Sequence, residues 1–129
     1  MAEKRIIYKI RDLGGIGEVH ITEEVVTKIA ALAAAETDGV ASLAGNVTYD
    51  SMEKQSLKSL AKGIRVCVKD NEVSADITLN ISYGKNILET SKAVQEKVRS
   101  SIENMTGLTV KDVNIHIAGV DIEKEEKGK

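Results

Sequence analysis

The sequence predicts an α+β fold, a two-layer α/β sandwich in which two main helices pack on one face of a small mixed sheet. Three observations predict it: two stretches with apolar residues at helical spacing, one long stretch of alternating apolar and polar residues, and short apolar segments between them. The predicted order is strand, helix, strand, hairpin, helix, strand. The pattern leaves the order of strands within the sheet open.

A strand beginning at Val73 is the clearest element. Its apolar positions are Val73, Ala75, Ile77, Leu79, Ile81 and Tyr83, and its polar positions are Ser74, Asp76, Thr78, Asn80 and Ser82. Alternation with period two predicts one buried face and one polar face. Residues 64–69 alternate in the same way, and Asp70-Asn71 between the two stretches is a turn signal. The two segments should therefore pair as an antiparallel hairpin.

The first helix is predicted to begin after Thr22, a suitable N-cap, with Glu23 and Glu24 in the first turn. Short strands are expected at residues 18–21 and 40–43. Gly39 is expected to end the helix as the left-handed residue after its last turn. The predicted buried side consists of Val25, Val26, Ile29, Leu32 and Ala33.

The second helix has a predicted N-cap at Asn86 and a capping-box partner in Glu89, and Gly107 ends it. Outer pairs Lys92/Glu96 and Arg99/Glu103 are expected on its exposed side. A last strand at residues 110–117, irregular near residues 111–112, completes a strand–helix–strand unit whose crossover should be right-handed. The predicted buried stripe of this helix is Ile87, Leu88, Val94, Val98, Ile102 and Met105.

The 129 residues fit one domain. Residues 1–15 are predicted to be a flexible N-terminal arm, residues 16–120 the single domain, and residues 121–129 a disordered charged tail. Within the arm, residues 6–10 fit either a short strand or a segment that contacts a partner. Residues 44–61 fit either a mobile insertion or a marginal helix.

Catalysis has few candidate groups in this sequence. His20, His116 and the lone Cys67 have no spacing typical of a nucleophile–base pair or a zinc site, so we predict no enzyme activity, no metal and no cofactor. Arg65 and Lys69 flank Cys67 and could activate an exposed thiol mildly, although a lone cysteine on a sheet is more often inert.

Binding to RNA is an alternative, because small two-layer α/β domains bind RNA. The net charge of −2 argues against nucleic acid. The polar strand face also has no aromatic residue on which bases could stack, since the only aromatic residues are Tyr8, Tyr49 and Tyr83. We therefore do not expect nucleic acid to be a partner.

An ordered series of segments resembles a known family. They are residues 17–21, 38–40, 62–66, 73–82, 83–87, 106–108, 113–117 and 119–120. Together they resemble the alkaline-shock, Gls-type family of bacterial envelope stress proteins over residues 16–120. Leu88 stands where this family often has proline, which changes only the start of the helix.

This resemblance implies an abundant cytoplasmic protein without catalytic residues that acts in envelope stress and homeostasis. Some members are held near the membrane by an anchored relative, and another branch is linked to fatty-acid synthesis through acetyl-CoA carboxylase. The implied partners are such a relative or carboxylase subunits. The sequence itself contains no stretch near the ~20 apolar residues of a membrane span, which fits a soluble member of the family and not an anchoring one.

A sheet edge or the polar sheet face is the predicted interaction surface, aided by the apolar N-terminal segment, and self-association is one use of it. A merely solvated face explains the polar positions equally well. The candidate residues are Ile6, Ile7, Tyr8, Ser74, Asp76, Thr78, Asn80 and Ser82.

Overall fold

The computed structural model describes residues 7–12, 18–44 and 63–122, with side chains from residue 20 onward. The predictions for residues 44–61 and for the charged tail therefore fall almost wholly outside the described residues. The elements in chain order are β1 (Ile7–Asp12), β2 (Glu18–Thr22), α1 (Glu23–Ala35), β3 (Val40–Leu43), β4 (Ile64–Lys69), β5 (Glu72–Ser82), α2 (Ile87–Thr106) and β6 (Thr109–Asp121).

The main sheet is built around β5. β4 pairs antiparallel with the first half of one edge of β5, and β3 pairs antiparallel with its second half. β6 runs parallel to β5 along the other edge. Both helices contact this sheet and each other, so the predicted α+β sandwich with a mixed sheet is confirmed. β1 and β2 form a separate two-stranded antiparallel sheet.

The β4–β5 hairpin closes through the predicted Asp70-Asn71 turn. Both residues have positive φ, 54° and 64°. Two consecutive left-handed residues make the type I′ turn whose twist matches that of a two-stranded ribbon. The register is regular from Lys69↔Glu72 to Ile64↔Ile77. Alternate residues of β4 and β5 therefore share the same faces of the sheet.

The core lies between the helices and one face of the sheet. From β5 it contains Val73, Ala75, Ile77, Leu79 and Ile81, all almost fully buried. From α1 it contains Val26, Ile29 and several alanines, whose small side chains let the helix pack closely. Val25 and Leu32, predicted to be buried, are exposed instead. The buried side of α1 is shifted toward Thr27, Ala30, Ala31 and Ala34, which are buried in their place.

The end of α1 differs from the prediction. The helix ends at Ala35 with Glu36 as a right-handed C-cap, and the Thr37 hydroxyl donates to the Ala33 carbonyl at 2.8 Å. Gly39 does have a left-handed φ of 98°, but it lies in the turn that leads into β3 and is not the capping residue. The Thr37 hydroxyl, and not a glycine cap, satisfies a carbonyl of the last helical turn.

The second helix begins and ends as predicted. The Asn86 side chain accepts from the Glu89 backbone N–H at 2.9 Å, and Gly107 caps the C-terminus with φ 81°. Val94, Val98 and Ile102 are buried as predicted. Ile87, Leu88 and Met105 are exposed, which corrects half of the predicted stripe; the buried line is completed by Thr90 and Thr106. The predicted Arg99/Glu103 pair is also wrong, because Arg99 pairs with Glu96 at 3.2 Å.

Candidate interaction surface

The polar face of the main sheet contains the five β5 residues that the sequence predicts there. Ser74, Asp76, Thr78, Asn80 and Ser82 alternate with fully buried neighbours and are each half-buried. Cross-strand neighbours extend this face on both sides: Cys67 and Arg65 from β4, and Asn114 and His116 from β6.

Two amide side chains form hydrogen bonds between neighbouring strands on this face. Asn114 donates through Nδ2 to Oδ1 of Asp76 at 2.9 Å, and Asn80 donates through Nδ2 to Oγ of Ser42 at 3.0 Å. These bonds join β5 to β6 and β5 to β3. Asp76 and Asn80 therefore already have partners within the domain, and these partners limit what they offer to another molecule.

The candidate catalytic groups lie apart from one another in chain and sheet. His116 is exposed in β6 opposite Thr78, while His20 belongs to β2 in the other sheet. Cys67 is exposed opposite Ser74. The described residues contain no cluster of three or more side chains suited to a metal ion.

The N-terminal segment is engaged with β2. Ile7 lies opposite Thr22 and Tyr8 opposite Ile21 in the β1–β2 pair. Ile6 lies outside the described residues. The candidate surface is thus divided between two sheets: the β5 residues share one face, and Ile7 and Tyr8 belong to the smaller sheet. A binding role for either group stays a prediction.

The outer edge of β6 is a feature that the sequence did not reveal. β5 covers one edge of β6, and no other strand of the described residues pairs with it. In its first half, side chains of α2 cover the backbone: Gln95 Nε2 donates to the Val113 carbonyl at 2.9 Å, and Glu103 Oε2 accepts from the Val110 N–H at 2.9 Å. The only sequence signal is that Gln95 and Glu103 are eight residues apart, on one flank of the helix.

An open groove of about 330 Å³ lies along this covered half, with Gln95, Glu96 and Arg99 on the helix side and residues 110–114 on the strand side. The second half of β6, from Ile115 onward, has no comparable side-chain cover in the hydrogen bonds of the described residues. Edge strands with uncovered backbone groups are ready templates for another strand.

Exposed apolar side chains concentrate near the end of β6. A backbone bond from the Tyr83 N–H to the Asp121 carbonyl, 2.9 Å, joins the end of β5 to the end of β6. The turn after Tyr83 leads directly into α2, so three chain segments meet at this end of the domain. The exposed residues on them, here called the apolar end, are Tyr83, Ile87, Leu88, Val120 and Ile122. Tyr83 was predicted to continue the buried pattern of β5, and its 72% exposure corrects this.

The fold and the surface define a small α+β sandwich domain with a polar sheet face and an exposed apolar end. The chain belongs to the alkaline shock protein 23 family, which is described as having a cell envelope-related function, and the family model matches residues 13–122. The resemblance inferred from the sequence is thereby confirmed.

Two relatives illustrate the extent of the match. YqhY of Bacillus subtilis is 34% identical over 108 residues, which cover 84% of this chain and 80% of the relative. Spy1535 of Streptococcus pyogenes is 34% identical over 113 residues, 87% of this chain and 85% of the relative. Both are described as uncharacterized. Solved chains described as MamM CTD variants reach a TM-score of 0.47 at 12% identity, over 79% of this chain and 96% of theirs, which is too low for any functional comparison.

Neither helix in the described ranges has the length and apolar character that crossing a bilayer requires.

Proposed function

We propose that this protein is a non-enzymatic interaction protein, a scaffold that contributes to cell-envelope stress response and homeostasis by binding other proteins. The family's envelope-related description supports the setting of this role. Its attachment to the envelope would come through a membrane-anchored relative, with the protein itself on the cytoplasmic side.

The observation that carries the proposal is the apolar end. Five of the eight large apolar side chains that are exposed on the described residues belong to the three segments that meet there. Large apolar side chains that are grouped on a surface expose apolar area to water, and contact with a partner would bury that area. The remaining three, Val25, Leu32 and Met105, lie elsewhere on the two helices.

Mild cross-linking of the full chain in a native lysate, followed by purification and mass spectrometry, tests this role. We expect recovery of a membrane-anchored relative of the same family. Recovery of acetyl-CoA carboxylase subunits instead would place the protein in the fatty-acid branch. Recovery of RNA that dissociates steeply with salt would replace the proposal with the RNA-binding alternative.

A double variant, Tyr83→Ser with Ile122→Ser, should abolish the recovery of that partner. Both side chains are largely exposed, 72% and 65%, so their removal should leave the fold intact. Met105→Ser is the matched control, since Met105 is 70% exposed and belongs to the far end of α2. Undiminished recovery with the double variant would remove the apolar end from the proposal.

A further inference from the structure

We draw no further inference here: the strongest candidate, the open groove between α2 and the first half of β6, carries none, because its charged lining is balanced, with Glu96 and Asp112 against Arg99 and Lys111, and nothing in the part of the chain that the structure describes shows what covers it.

Discussion

Gly39 shows how one residue is restricted by its own backbone and by a neighbouring helix at the same time. Its φ is 98°, a conformation that side chains with a Cβ rarely adopt. A Cβ added there would lie 2.8 Å from Oγ1 and 3.0 Å from Cγ2 of Thr90, which is buried in α2. The turn after α1 therefore packs so closely on α2 that only glycine fits without movement.

Gly39→Ala should destabilise the fold more than Gly84→Ala does. Gly84 has nearly the same φ, 95°, but its Cβ would meet nothing within 4 Å. Backbone strain alone should lower the free energy of unfolding by about 1–2 kcal/mol in both variants. The contact with Thr90 should add to this loss only at Gly39, as urea denaturation followed by circular dichroism would measure.

The added loss can be assigned to Thr90 with a double variant. Thr90→Ala removes both atoms that the new Cβ would approach, so it should restore part of the stability lost in Gly39→Ala. Equal losses in the two glycine variants, or no coupling between Gly39→Ala and Thr90→Ala, would contradict the close packing described above.

At the scale of elements, the ends of α2 could be predicted from sequence but its exposed flank could not. The N-cap at Asn86 and the C-cap at Gly107 depend only on residues near them in sequence, so both ends of the helix can be predicted from the sequence pattern. Periodicity gives the angular position of Leu88 and Met105 around the helix. Periodicity does not show how far the sheet extends beneath the helix. Leu88 and Met105 both lie beyond the part of the helix that the sheet covers. Thr106 could be buried because its hydroxyl donates to the Ile102 carbonyl and accepts from the Leu108 N–H.

Asn86→Ala should lower the free energy of unfolding by about 1 kcal/mol, because the Glu89 N–H loses the acceptor that caps the helix. Asn86→Asp keeps an oxygen in the same place and puts a negative charge at the helix start, so it should retain the stability of the original chain. Thermal unfolding followed at 222 nm compares the three proteins. A loss as large with aspartate as with alanine would mean that the cap is not the source of the effect.

The β4–β5 turn provides a second prediction for an element. Asn71 has φ 64°, and its carbonyl accepts from the Thr109 N–H at 3.1 Å, which ties the turn to the start of β6. Asn71→Val should destabilise by about 1–2 kcal/mol, because a β-branched residue resists the left-handed conformation. Asn71→Gly should change the free energy of unfolding by less than about 0.5 kcal/mol. Glycine adopts this φ freely, but it is more flexible in the unfolded chain. Similar denaturation midpoints for valine and glycine would contradict the type I′ assignment.

At the scale of the whole molecule, the layers followed from the sequence and the order of strands did not. Alternation in β5 and helical spacing in α1 and α2 specify which faces are apolar, and two apolar layers have to meet. Nothing local specifies that β3 and β4 share one edge of β5 while β6 takes the other. The position of β6 at the other edge, with Gln95 of α2 bonded to it, was missed for the same reason, because it depends on residues distant in sequence.

Because α1, α2 and the main sheet share one core, we expect the domain to unfold as a single unit. Ile77 lies at the centre of β5 and is fully buried. Ile77→Ala should lower the free energy of unfolding by about 2–5 kcal/mol, and Ile77→Val by about 0.5–1.5 kcal/mol. Ile122→Ala, at a position 65% exposed, should change it by less than about 0.5 kcal/mol.

The cooperative unit can be tested by native-state hydrogen exchange. The amides of Ile29 in α1, Val94 in α2 and Leu79 in β5 should approach one common opening free energy, and Ile77→Ala should lower all three by the same amount. The loss should equal the one measured by urea denaturation, since every amide would then exchange through global unfolding. If α1 exchanged at a lower free energy that Ile77→Ala left unchanged, that helix would open independently of the sheet, and the two layers would not share one core.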